Sequence, residues 1–124
     1  MTFDAKTYVE ASPHHGRGLF ARNALSTDDI IGIYPMIILS ADDVEKIHDT
    51  PVYHYIFYVD DEADGRLRAA IVFGDLSMCN HSTSANARFH VDAPSRTVTL
   101  IANSDIAADE EILIDYEEFA EEIV

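Results

Sequence analysis

Turn-forming residues recur at short intervals along this chain, at Pro13 to Gly18, Pro51, Asp60 to Gly65, Gly74 and Asp92 to Ser95. The segments between them are rich in β-branched and aromatic residues and too short for the long helices of a bundle. The spacing predicts a mainly β domain with strands at residues 7–10, 19–22, 30–39, 53–60, 66–73, 88–92, 97–102 and 111–116. Period-2 alternation is clearest in Thr97-Val98-Thr99-Leu100-Ile101, with a hairpin partner expected at residues 87–91 across the turn Asp92-Ala93-Pro94-Ser95-Arg96. One helix stands out at residues 41–48. Ser40 can cap it, acids fill its first turn, and Val44 and Ile47 share a face. Thr50-Pro51 ends it, because the residue before a proline is pushed out of helical backbone.

No internal repeat, low-complexity tract or linker is expected to divide the 124 residues. One domain, 1–124, with a core at about 7–116 and an acidic tail at 117–124, accounts for the length. Eight Lys+Arg against 23 Asp+Glu give a formal net charge of −15, and 48% hydrophobic residues exclude a disordered acidic tail as the main reading. Such an excess of carboxylates argues against direct binding to nucleic acid, which needs Lys and Arg to neutralise phosphates. It favours cationic partners, beside the simpler role of keeping the surface solvated. The single cysteine, Cys79, excludes an intrachain disulfide and a cysteine-rich zinc site, and no metal is expected. There is no basic segment followed by an apolar run, and no stretch of some 18 apolar residues. The expectation is an intracellular protein without a secretory signal or a membrane span.

Three segments carry chemistry. Gly16-Arg17-Gly18-Leu19-Phe20-Ala21 is a glycine pair leading into a strand, either a tight turn or a loop whose backbone a small ligand can approach. It lacks the Lys-Ser/Thr ending of a phosphate loop. Cys79-Asn80-His81-Ser82-Thr83-Ser84-Ala85-Asn86 is a dense polar cluster, whose groups, if buried, must satisfy one another or a ligand. Asp109-Glu110-Glu111-Ile112-Leu113-Ile114-Asp115-Tyr116 places acids before an apolar strand that ends in a tyrosine, where a phenol can orient a reacting group.

In this order and over about residues 7–119, the segments resemble the SET-domain protein lysine methyltransferases, the compact virus-encoded or bacterial members most of all. The resemblance implies a SET fold of several small curved β-sheets with a C-terminal pseudoknot and one short insert helix. It implies S-adenosylmethionine as cofactor, held by Gly16, Arg17, Gly18 and Leu19, by the Asn80 side chain, by the backbone of His81, and by Tyr116 and Phe119. It makes Tyr116 the catalytic tyrosine and places Tyr34 and Ile114 at the substrate channel, with Tyr34 a second catalytic candidate. Ile114 stands where relatives often place Phe or Tyr to limit the number of methyl groups added. The implied substrate is lysine in a basic protein such as a histone, and the compartment is the cytoplasm of a bacterium or the host nucleus if a virus encodes the chain. The cysteine-rich flank that closes the channel in many relatives is missing, so the tail from Glu117 or the second subunit of a homodimer is expected to cover it. The alternative is a catalytically silent SET-like module that binds cationic proteins through its acidic surface.

Overall fold

A computed structural model describes residues 6–14, 16–61 and 65–115. Among the described residues, nine strands form two sheets. The first holds β1 (Thr7–Ala11), β2 (Arg17–Ala21), β9 (Glu111–Ile114) and β6 (Asn80–His81), in the order β1-β2-β9-β6. The second holds β3 (Ile30–Leu39), β4 (Ile56–Asp61), β5 (Leu67–Val72), β7 (Ala87–Asp92) and β8 (Thr97–Ala102), in the order β4-β5-β3-β8-β7. Every pairing is antiparallel except that of β6 with β9. The mainly β expectation and the SET-type arrangement of small sheets therefore hold.

Local signals placed most of these elements. The β7–β8 hairpin closes where it was expected, with Ala87 opposite Ala102 and Asp92 opposite Thr97. Helix α1 (Ala41–Ile47) starts in a reciprocal cap: the Asp43 backbone N–H donates to Ser40 Oγ at 3.2 Å, and the Ser40 N–H donates to Asp43 Oδ2 at 3.3 Å. Two of the helix's orphan donors are satisfied in this way. The strand expected at 53–60 begins three residues late. Pro51, at the start of a 3₁₀ turn spanning Pro51–Tyr55, has its φ preset for helical backbone, and the chain becomes extended only at Ile56.

The chain also contains a repeat that composition does not reveal. Leu19-Phe20-Ala21, Leu25, Asp28-Asp29 and Ile31 recur as Leu100-Ile101-Ala102, Ile106, Asp109-Glu110 and Ile112. The two copies face each other about a local two-fold axis. Leu25 and Ile106 exchange backbone hydrogen bonds at 2.8 and 2.9 Å, and the Ala21 N–H to Glu110 carbonyl bond has its twin in Ala102 to Asp29, both 3.0 Å. Asp28 and Asp109 take the same left-handed backbone, φ 70° and 66°, a conformation that the short polar side chain of Asp tolerates. The first strand of each copy pairs with the second strand of the other, β2 with β9 and β8 with β3. The absence of a repeat expected from the sequence is thus corrected: identity is confined to the turn and a few inward positions, too little to register as self-similarity.

The core runs between the two sheets, with Leu19, Leu76, Leu100, Ile106, Ile112 and Ile114 among its most enclosed side chains. No described helix is long and apolar enough to cross a membrane. Replacing Ile106 by Ala removes buried methylenes at the two-fold junction and is expected to cost about 2–5 kcal/mol in urea unfolding. Ile30→Ala, at a half-exposed position, should stay within about 0.5 kcal/mol.

Candidate functional site

The three chemistry-bearing segments meet at one buried carboxylate. Strand β9 lies between β2 and β6, with Phe20 opposite Glu111 and Asn80 opposite Leu113. That order carries Glu111 toward the loop preceding β2. Its side chain is almost fully enclosed and accepts from Ser12 Oγ, whose oxygen lies 2.8 and 2.9 Å from the two carboxylate oxygens. It also accepts from Asn80 Nδ2 at 2.9 Å. The same Asn80 amide donates to the Arg17 carbonyl at 3.2 Å, so one side chain joins the glycine loop to β9. Ser12 in turn donates its backbone N–H to the Gly16 carbonyl at 2.8 Å, which closes the loop.

Both glycines are required by this geometry. Gly16 takes a left-handed φ of 50°, a region that residues with a Cβ rarely occupy, and the space beside it is open. Gly18 is needed for close approach: a Cβ there would run into the Glu111 carboxylate and crowd the Asn80 amide. At both glycines the loop consequently shows backbone, not side chain, to its surroundings.

Asn86, the later asparagine of the second segment, straps β9 from the other side. Its Oδ1 accepts from the Leu113 N–H at 2.8 Å, its Nδ2 donates to the Glu111 carbonyl at 2.8 Å, and its backbone N–H donates to the Leu113 carbonyl at 3.2 Å. The Ser82 N–H donates to the Ile114 carbonyl at 2.9 Å. The polar cluster is therefore satisfied largely by the backbone and carboxylate of β9, with local side-chain turns such as Ser84 N–H to Ser82 Oγ at 3.0 Å added.

Beside the Gly16–Gly18 loop lies a cavity of about 280 Å³, walled by Gly16, Arg17, Met78, Asn80, His54 and Tyr55, among others. Its size is of the order of small-ligand pockets. Gly16, Arg17 and Asn80 line it directly, and Gly18 fixes the loop from behind. Leu19 and Ile114 are instead fully buried in the core, and His81 is paired along β9 with its Nδ1 3.7 Å from Asp115 Oδ1. Tyr34 does not wall this cavity. Its ring lies against Gly74 and its hydroxyl near Gly32, between the two sheets. Tyr116 and Phe119 lie outside the described residues. Sequence reasoning missed His54 and Tyr55, which the 3₁₀ turn swings across from the glycine loop. Their reading as strand residues hid them, although a proline heading an aromatic pair was the available signal.

Two titrating groups flank the site. Burial, followed by the negative charge of Glu111, pushes the Cys79 thiol well above the ordinary range, and its Sγ lies 3.1 Å from the Ile112 carbonyl. Burial, reinforced by the charge of Asp75, pushes the Tyr34 hydroxyl up to about 12, while a hydrogen bond with Thr7 opposes the shift. No grouping of three His, Cys, Asp or Glu that could hold a metal occurs among the described residues.

Comparison with known proteins bears on the family and the fold. The sequence model of one family, the SET domain, matches residues 16–117. A Plasmodium falciparum protein assigned as a histone methyltransferase shares 23% identity and superposes with a TM-score of 0.69, covering 92% of this chain and 95% of its own. A humanized mutant of the Chaetomium thermophilum Polycomb Repressive Complex 2, solved with an inhibitor, superposes at 0.70 with 19% identity over 90% of this chain. An apo ctPRC2 mutated in Ezh2 gives 0.71 and 17% over 90%. This chain spans only 15% of the matched chain in each of those two complexes. At these identities the likeness is one of fold. No curated protein matches the sequence.

Two outcomes follow from the site's physics. Gly18→Ala forces a methyl group against Glu111 and Asn80 and should cost about 1–3 kcal/mol in thermal or urea unfolding. The Tyr34 phenol is held neutral by the fold, so its contribution is complete below about pH 10, the value of a free tyrosine, and is lost as pH rises toward about 12. The urea midpoint should fall across that window, and Tyr34→Phe should fall less.

Proposed function

This chain belongs to the SET-domain family, and we propose that it transfers a methyl group from S-adenosylmethionine to the side-chain amine of lysine in a basic protein. The observation that carries the reading is the meeting of Gly16-Arg17-Gly18, Asn80 and Glu111 beside a ligand-sized cavity, although they lie far apart in sequence. The residues present suit an amino-acid nucleoside. Glycine backbone allows close approach, Arg17 brings a cation for a carboxylate, and Met78 and Tyr55 bring apolar surface for a base. Asn80 donates its side-chain amide to Arg17 and Glu111 and so holds the cavity wall together.

When bound, the cofactor supplies a methyl group activated by a sulfonium. What the chain has to provide is alignment and a neutral amine. A free lysine titrates near pH 10.4 and is almost wholly protonated at neutral pH, and enclosure in an apolar channel lowers that value. No strong general base is demanded. Tyr116, directly after Asp115 at the end of β9, is the residue whose hydroxyl would orient the amine, and Tyr34 and Ile114 are its proposed companions at the channel. Phe119 would pack on the cofactor. Surface carboxylates, part of a net charge of −15, raise the encounter rate with a Lys-rich substrate.

Calorimetric titration with S-adenosylmethionine and a methylation assay on histones test the proposal together. Binding with thermal stabilisation is expected, with Tyr116→Phe retaining binding and losing about a hundredfold in turnover. Salt-sensitive binding of basic proteins without any cofactor response would instead identify a silent module and refute the catalytic reading. An activity unchanged in Tyr116→Phe would remove that residue from the chemistry.

A further inference from the structure

Two polar or charged side chains are buried among the described residues, Glu111 and Thr7. Glu111 gathers the glycine loop, whereas Thr7, at the start of β1, serves a second polar chain. Its Oγ1 donates to Asp75 Oδ2 at 3.1 Å, and a further hydrogen bond joins it to the Tyr34 hydroxyl. A threonine hydroxyl carries one hydrogen, and a carboxylate only accepts. The Thr7 hydrogen is therefore committed to Asp75, and the neutral phenol of Tyr34 donates to Thr7 Oγ1. Tyr34, Thr7 and Asp75 thus form one directed chain that joins β3, β1 and a 3₁₀ turn at Asp75–Met78. Gly74, just before the turn, has a φ of 128° and lies against the Tyr34 ring, so a Cβ there would strain the backbone and meet the ring. Within the turn the Ser77 N–H donates to the Gly74 carbonyl at 3.2 Å and the Cys79 N–H to the Leu76 carbonyl at 3.0 Å. One turn of backbone therefore separates the anchored Asp75 from Met78, which walls the cavity, and Asn80 follows two residues later.

We propose that Thr7 and Asp75 are positioning residues of the cofactor cavity: by holding the start of the 3₁₀ turn against Tyr34, they set where its end places Met78 and Asn80. The proposal rests on S-adenosylmethionine being the occupant of that cavity. Neither Thr7 nor Asp75 lines it, so their effect on a ligand passes through the turn. Leu76, fully buried, holds the middle of the turn in the core, and the polar chain fixes its first residue. Without that fixing, the wall of Met78 and Asn80 is free to shift relative to Gly16 and Arg17, which line the same cavity. Groups that bind a ligand lose affinity when the residues supporting them no longer hold them in place.

The test joins calorimetric titration of the full chain with S-adenosylmethionine to amide hydrogen exchange in its absence. Thr7→Val removes the hydroxyl at nearly constant shape, Thr7→Ser keeps it, and Asp75→Ala removes the acceptor at a partly exposed position, where folding is least at risk. Well below each variant's unfolding temperature, Thr7→Val and Asp75→Ala should weaken binding about five- to tenfold, and Thr7→Ser should stay within about twofold of the unmodified chain. Both substitutions break the same chain, so the double variant should bind about as well as the weaker single one. In Thr7→Val and Asp75→Ala the Ser77 and Cys79 amides should exchange faster, while those of β8 keep their protection. A structural role alone would lower the unfolding temperature and leave the affinity of the folded chain unchanged. That outcome, or unaltered exchange at Ser77 and Cys79, or a Thr7→Ser as weak as Thr7→Val, would overturn the proposal. An unmodified chain that binds no S-adenosylmethionine would overturn the cofactor reading and this proposal with it, whereas a failure of the proposal alone leaves binding by the unmodified chain intact.

Discussion

A carboxylate buried at the junction of three strands is the constraint on which the site depends. Removing an ionised carboxylate from water costs several kcal/mol unless hydrogen bonds and nearby charge replace the lost hydration. For Glu111 the replacements come from Ser12 before the glycine loop and Asn80 on β6, with His14 Nε2 at 3.9 Å on its rim. Ser12 and His14 belong to the loop before β2, and Asn80 to a strand far along the chain. The chain can satisfy the carboxylate only by bringing those segments together, and once together they form one wall of the cavity. Gly18 follows from the same constraint, since the volume that its side chain would fill belongs to the carboxylate.

The strands are held in place by a second device of the same kind. Asn86 gives β9 both an acceptor and a donor in the manner of a neighbouring strand, and it does so from a loop. With β2 paired along one edge and β6 and this strap along the other, β9 is held on both edges. A short strand that would otherwise be marginal is therefore anchored along its length. In the proposed enzyme the residue that follows Asp115 in the sequence is Tyr116, whose hydroxyl would depend on that anchoring.

Much of this was legible in the sequence wherever the signal was local. The alternation of Thr97 to Ile101 announced a strand with one face buried, and Ser40 announced a helix start, because both depend on neighbours in the chain. What escaped depended on distant partners. The β6 strand is two polar residues whose pairing with β9 is parallel and remote, so no pattern in Asn80-His81 betrays it. Glu111 reads as one acid in a run of three, and nothing local marks it as the buried one. The 3₁₀ turn at Pro51–Tyr55 was hidden by aromatic content that suits a strand equally well, and with it went two residues of the cavity wall. The motif order, by contrast, was informative because it reports three weak local patterns at once, and the family match over residues 16–117 agrees with it.

The central claim is that Glu111 and Asn80 act as a unit in joining the three segments, and a double-mutant cycle measures that directly. Asn80→Ala, Glu111→Ala and the double variant, compared with the unmodified chain in urea unfolding, should show a coupling of roughly 1–3 kcal/mol. The double variant would then be far less destabilised than the two single variants added together. Additive losses, with a coupling indistinguishable from zero, would contradict the account.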